Sequence, residues 1–209
     1  DLRNPLIIED ISDIMGKSDF APFKDTVVRC IKVENIEKSN SWYKSMEEYV
    51  KGIHGNLGYI QVKEGMELKS SLTKFMSDEV KNELIEKMNL HENDALFIVA
   101  DKNRCARIMG NLRTKLGQEL DLIDKNRYEF CIINDFPFYE ENEETGAIEF
   151  SHNPFSMPKG GLDALNNKNP FEMEAFQYDF VCNGYEMASG GVRNHSPEIL
   201  KKAFELVGY

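Results

Sequence analysis

The chain has 209 residues, 41% apolar and 29% charged, the balance of a folded protein rather than a disordered one. A formal net charge of −11 argues against nonspecific nucleic-acid binding by the chain in isolation, while leaving room for a local contact with RNA. No run approaches membrane-spanning length and the start is not a signal peptide, so a cytoplasmic protein with no membrane association is expected.

Residues 1–10, with Leu6-Ile7-Ile8 behind Pro5, read as a lead-in strand or linker. Asp10–Met15 suits a short helix and Phe20–Phe23 an apolar turn. β-Branched residues in partial alternation make Thr26–Val33 a strand. After Ser41, the stripe Trp42, Met46, Tyr49, Val50 and Ile53 predicts a helix that Gly55 ends. Leu57–Val62 is a second strand, and Ser77 an N-cap for a helix turning Val80, Leu84, Ile85 and Met88 inward. Asp94–Ala100 reads as a strand and Asp101–Leu122 as a long helix, with Ile108, Leu112, Leu116 and Leu120 on one side. This alternation predicts an α/β or α+β unit of about 120 residues.

The texture then changes. Phe130–Phe138 is a strand running through Asp135-Phe136-Pro137, the acidic stretch Glu140–Thr145 turns at Gly146, and Ala147–Phe150 returns. From His152 to Pro170 the prolines, glycines and asparagines predict a long loop. Phe176–Cys182 and Tyr185–Val192 flank Asn183-Gly184, a strong hairpin signal. Ser196-Pro197-Glu198 opens a terminal helix to Val207. Cys30, Cys105, Cys131 and Cys182 are widely spaced with no CxxC pair, which predicts buried free thiols in a reducing compartment rather than structural zinc. The start at Asp1 rather than methionine reads as a piece of something longer or a beginning that is not shown.

A two-residue hairpin at Asn183-Gly184 would pair Cys182 with Tyr185, Val181 with Glu186 and Asp179 with Ala188. Asp179 and Glu186 then share one face about a diagonal apart. In a segment otherwise apolar enough to be buried, such charges ask for a ligand, a metal or a partner charge. Two converging carboxylates suit Mg²⁺ and the phosphates it carries; they equally suit the solvent side of a surface hairpin. Strict alternation sends Arg193 to the opposite face unless a bulge or bend at Gly190-Gly191 restores it. There it would bind a carboxylate bidentately or pair with a surface acid. His152, where a strand meets the long loop, and His195, ahead of the terminal helix, read first as hydrogen-bonded structural residues. No GxSxG, HExxH, GxGxxG or GxxxxGK[ST] occurs, so neither a nucleophile elbow, a zincin, a Rossmann nor a P-loop site is supported.

Asp135-Phe136-Pro137, Ser151-His152-Asn153-Pro154-Phe155-Ser156-Met157-Pro158, Tyr178-Asp179 through Glu186, and Arg193-Asn194-His195 together resemble the catalytic domain of bacterial-type aspartyl-tRNA synthetases. The upstream part resembles the GAD domain inserted in that catalytic domain, with Asp1-Leu2-Arg3-Asn4-Pro5 at its beginning and Gly117–Asp124 as its exit helix. The resemblance covers essentially the whole chain. It implies an α+β fold: a GAD insert domain over residues 1–124, including the lead-in 1–10, and part of a class II antiparallel sheet over residues 125–209.

What the resemblance implies for function is equally specific. The parent enzyme, a homodimer, would activate L-aspartate with ATP and Mg²⁺ and transfer it to tRNA(Asp), with charging of tRNA(Asn) left open. His152 would help hold L-aspartate and Arg193 would clamp its side-chain carboxylate. Glu186, assisted by Asp179, would meet ATP and Mg²⁺. Many members carry His-His-Pro-Phe-Thr where His152–Ser156 stand, three glycines where Ala188, Ser189 and Gly190 stand, and serine at Gly191. The variants found here look alphaproteobacterial, and Ala188 and Ser189 would narrow the space beside the substrate. The anticodon-binding domain, motif 1, motif 2 and motif 3 are not found in these 209 residues. The chain alone is therefore expected not to aminoacylate tRNA, and aspartate-dependent ATP–pyrophosphate exchange at the level of a full synthetase would refute that. The alternative reading is a stand-alone GAD-containing module that binds tRNA or a protein without catalysis.

Overall fold

The computed structural model describes residues 1–142 and 144–209; Glu143 of the predicted acidic turn lies outside the described residues. In chain order the elements are β1 (Ile8–Asp10), α1 (Ser12–Met15), β2 (Val28–Val33), α2 (Asn40–Gly52), β3 (Leu57–Val62), β4 (Leu68–Lys69), α3 (Asp78–Met88), β5 (Ala95–Ala100) and α4 (Cys105–Glu119). There follow β6 (Phe130–Pro137), β7 (Tyr139–Glu141), β8 (Ile148–Phe150), α5 (Gly161–Asn167), β9 (Glu174–Cys182), β10 (Tyr185–Gly191) and α6 (Pro197–Leu206). The architecture is α+β. The chain divides into two compact units, Asn4–Asp124 and Lys125–Tyr209 together with Asp1–Arg3.

The Asn4–Asp124 unit is built on an antiparallel sheet in the order β1-β2-β5-β3-β4. β5 is apolar at every position because both faces of the sheet are covered. Leu96 and Ile98 pack with Ile14, Val80, Leu84 and Met88 of α1 and α3. Phe97 and Val99 pack with Tyr43, Met46, Ile108 and Leu112 of α2 and α4. The helix signals hold with shifted ends. Ser39 caps α2, its hydroxyl accepting from the Trp42 amide at 3.3 Å, so the helix begins ahead of Ser41. α2 stops at Gly52 rather than near Gly55, since His54 is left-handed (φ 62°). α4 starts at Cys105, because Asp101 Oδ1 accepts from the amides of Asn103 and Arg104 and holds residues 101–104 as a turn. The lead-in is strapped to α4: Asn4 Nδ2 donates to the Arg113 carbonyl at 2.8 Å, and Arg113 donates back to the carbonyls of Leu6 and Asn4.

The other unit carries an antiparallel three-stranded sheet, β10-β9-β6, and the β7-β8 hairpin. Its core gathers Phe138, Tyr139, Ala164, Leu165, Met173, Ala175 and Ala203. The predicted loop from His152 to Pro170 is only partly irregular, since it contains α5. Gly160 and Gly161, both left-handed (φ 82° and 54°), mask that helix in the sequence, whereas the buried pair Ala164 and Leu165 is what holds it.

All four cysteines are free; Cys30, Cys105 and Cys182 are buried and Cys131 is half-buried. Burial pushes the Cys30 thiol from 9.0 to about 12. It also pushes the Tyr139 phenol, whose hydroxyl donates to the Ala203 carbonyl at 2.9 Å, above its ordinary 10.0. Both groups stay protonated in the fold and ionise earlier when unfolded. Their contribution is therefore complete below the unfolded values and is lost as pH rises toward the folded ones. Chemical denaturation should show stability falling above pH 9.0, with Cys30 contributing up to about 1.4 kcal/mol per pH unit. Cys30→Ala should flatten that loss in the Asn4–Asp124 unit; an unchanged slope would show that the thiol is not the source.

Candidate active site

β9 and β10 turn at Asn183-Gly184, both left-handed (φ 52° and 84°), as a two-residue hairpin requires. Asn183 is pinned from the side: its Oδ1 accepts from the Glu129 amide at 2.9 Å and its Nδ2 donates to the Arg127 carbonyl at 3.1 Å. From the turn, Cys182 stands opposite Tyr185 and Val181 opposite Glu186, as the hairpin predicts. The next pairs depart from it. Glu186 and Ala188 face the adjacent residues Val181 and Phe180, so Met187 is an inserted bulge and Ser189, not Ala188, lies opposite Asp179.

The bulge reorganises which side chains share a face. Glu186 stands across from Val181 and so shares the face of Asp179, two residues along β9; Ser189, opposite Asp179, joins them. The expected sharing of a face by the two carboxylates is kept, about one diagonal apart. Because one residue is inserted, alternation after Met187 is inverted, and the count through Gly191 returns Arg193 to the Glu186 side. The sequence placed the needed irregularity at Gly190-Gly191; it lies at Met187, where no glycine announces it. Gly191 instead allows a close approach, since a Cβ there would lie 2.7 Å from the Phe176 carbonyl oxygen.

The expectation of buried charge is corrected. Glu186 and Arg193 are exposed and Asp179 is half-buried. The opposite face of the hairpin also meets solvent, with Tyr178 48% and Phe180 40% exposed. Among the described residues no ion pair engages Asp179, Glu186 or Arg193. The Arg193 guanidinium lies over the Phe155 ring, 5.4 Å from its centroid.

His152 is exposed and sets its ring edge-on against Phe136, with centroids 4.8 Å apart. Asn153 builds the turn after it, its Oδ1 accepting from the amides of Phe155 (2.9 Å) and Ser156 (3.0 Å) and from the Ser156 hydroxyl (3.2 Å). The segment that follows is stitched to its neighbours through the backbone. The Asn194 amide donates to the Phe155 carbonyl at 2.7 Å, Met157 to Val192 at 2.8 Å, and Phe176 to Met157 at 2.9 Å. Ser156 and Arg193 form an isolated β-bridge. The His152 loop and the Arg193 strand end are thus neighbours. His195 sits at the exposed end of this stretch, its Nδ1 3.3 Å from the Arg193 carbonyl.

Sequence reasoning missed Lys159. Its ammonium joins the Asp135 carboxylate and Glu174 Oε2, the latter at 2.9 Å, and these hydrogen bonds, Asp135 first, raise its pKa above 10.5. Both partners are far away in the chain, so no local pattern could reveal the cluster. Asp135 is itself left-handed (φ 59°), at the irregularity where β6 sets it alone against Phe176 and Gln177 of β9.

Among the described residues no three His, Cys, Asp or Glu side chains converge on a metal position. Asp179 and Glu186 would supply two carboxylates, leaving the other positions to phosphate oxygens and water, the usual habit of this ion at nucleotide sites.

The family described as tRNA synthetases class II (D, K and N) matches residues 23–209. The whole chain aligns at 46% identity over 221 residues with the aspartate–tRNA(Asp/Asn) ligase of Rickettsia bellii (strain OSU 85-389), covering 37% of that protein. The ligases of the same name from Rickettsia akari (strain Hartford) and Rickettsia prowazekii (strain Madrid E) are each 45% identical over the whole chain, which covers 37% and 36% of them. The chain therefore spans little more than a third of the length of these relatives. Among the described residues no helix is long and apolar enough to cross a membrane. With the family matched over most of its length, on an α+β fold carrying this hairpin, the chain belongs to the class II tRNA synthetases of the D, K and N type.

Proposed function

We propose that the β9-β10 hairpin and the His152 loop form one wall of the aspartyl-adenylate site of an aspartate–tRNA ligase. Arg193 receives the side-chain carboxylate of L-aspartate through its planar fork, and His152 lines the same pocket. Glu186 and Asp179 hold Mg²⁺ with the ATP phosphates. The ion, when bound, offsets phosphate charge and orients the nucleotide. The protein contributes position and charge rather than a nucleophile: the α-carboxylate of L-aspartate attacks the α-phosphate in line, and pyrophosphate leaves. The acyl acceptors are tRNA(Asp) and, following the name of the relatives, tRNA(Asn). The parent enzyme is proposed to be a homodimer.

The observation that carries this reading is the hairpin register: Asp179 and Glu186 share one face, and the Met187 bulge restores Arg193 to the same side of the count, with no ion pair engaging any of the three among the described residues. The chain's own residues allow a direct test by NMR titration. L-aspartate should shift the Arg193 guanidinium and His152 ring signals, Mg²⁺-ATP should shift Glu186 and Asp179, and L-asparagine should leave Arg193 unmoved. Shifts confined to other parts of the chain would overturn the assignment.

A further inference from the structure

We propose that Lys159 is a positioning residue for this site: by holding Asp135 and Glu174 together it fixes the turn that presents His152 beside the Arg193 strand end. The inference rests on the site assignment above, although its structural half can be tested without it. Three observations carry it. The Lys159 ammonium joins two carboxylates from different strands, Asp135 of β6 and Glu174 of β9, while its own amide donates to the Glu174 carbonyl at 2.8 Å. Asp135 is left-handed (φ 59°) at the irregularity of β6, a backbone state outside the extended conformation of a regular strand. Phe136, the next residue, is the ring on which His152 rests.

The path from cation to histidine is therefore short and continuous. Lys159 holds the Asp135 side chain, Asp135 turns the strand, the turn aims Phe136, and Phe136 backs His152. On the other side, Phe155 and Met157, just before Lys159 in the chain, are hydrogen-bonded to Asn194 and Val192, which flank Arg193. Lys159 closes the far end of this segment. It also offsets one of the two negative charges of Asp135 and Glu174 beside a site assigned to a dicarboxylic substrate, in a chain of net charge −11, where uncompensated carboxylates would repel that substrate. Each ion pair is partly exposed and weak alone, so the effect depends on two carboxylates sharing one lysine.

The test compares Lys159→Met and Lys159→Arg in the full 209-residue chain, with Lys168→Met as a distant control. Lys159→Met should move the His152 ring resonances away from their Phe136-shifted values and speed exchange of the Met157 and Asn194 amides roughly fivefold to tenfold. Lys159→Arg should restore both, and the control should change neither. If Lys159→Met does not fold, Asp135→Asn and Glu174→Gln, which remove the carboxylates and leave the lysine, should give the same signature. Unchanged His152 resonances and amide exchange in folded Lys159→Met would overturn the proposal. The two readings fail separately. A wild-type chain whose Arg193 and His152 ignore L-aspartate counts against the site assignment, while a Lys159→Met chain that responds to L-aspartate as wild type does, with His152 unmoved, counts against Lys159 alone.

Discussion

Arg193→Ala is expected to lower kcat/KM for L-aspartate by about two to three orders of magnitude, roughly 3–4 kcal/mol, in a ligase of the relatives' full length that carries this segment. The measurement is ATP–pyrophosphate exchange with L-aspartate varied. The size follows from what the arginine would face. A carboxylate taken from water into a closed site loses its hydration, and a bidentate guanidinium is the group that replaces it most fully. In the free chain Arg193 is exposed, unpaired by any acid among the described residues and laid on Phe155, so no internal ion pair has to break before it meets a carboxylate. Arg193→Lys should recover only part of the loss, because a point charge keeps the attraction and forfeits the two parallel hydrogen bonds.

The same substitution separates the assigned roles within the hairpin. If Arg193 reads the substrate side chain, its loss raises KM for L-aspartate and narrows the preference over L-asparagine, while KM for ATP stays near wild type. Glu186→Gln should do the reverse, weakening ATP more than L-aspartate, since Glu186 is assigned to the metal and phosphates. A loss smaller than about threefold on Arg193→Ala would leave no place for a substrate clamp at this position. An equal loss for both substrates would indicate collapse of the hairpin rather than removal of one contact.

Much of this site was legible because its parts are local. Asn183-Gly184 announces a hairpin by backbone preference alone, and from the turn the first two cross-strand pairs can be counted with certainty. Counting fails at Met187. A bulge there is set by how the strands twist and pack, not by any residue type unusual at that position. For the same reason Ser189, rather than Ala188, meets Asp179. Exposure was misjudged for a related reason. Alternating apolar residues in β9 suggest a face buried by the rest of a fold, yet Tyr178 and Phe180 meet solvent in this chain. The helix α5 was hidden by a glycine pair at its start, and the Lys159 cluster by sequence distance. In the Asn4–Asp124 unit the helix stripes were more informative, because buried positions at helical spacing reflect packing that every turn repeats.

The second large effect concerns that unit. Phe97→Ala is expected to destabilise it by about 3–5 kcal/mol, a large share of what a domain of this size possesses. Phe97 is fully buried at the middle of the central strand β5, paired with Ile31 on one side and Tyr59 on the other. Its ring stacks with Tyr43 (5.8 Å) and meets Trp42 edge-on (6.0 Å), so truncation opens a void between sheet and helix that stiff neighbours cannot close. Trp42 is the sole tryptophan of the chain, which makes its fluorescence a reporter of this unit alone. Urea titrations of the whole chain and of the excised Asn4–Asp124 unit should give the same loss. The excised wild-type unit should unfold in one cooperative step, because its sheet is covered on both faces by its own helices. A broad, non-cooperative transition in the excised unit would show that its stability is borrowed. Equal losses in both contexts would show that the core around Phe97 belongs to this unit and that substitutions in the β9-β10 hairpin can be read as changes in the site.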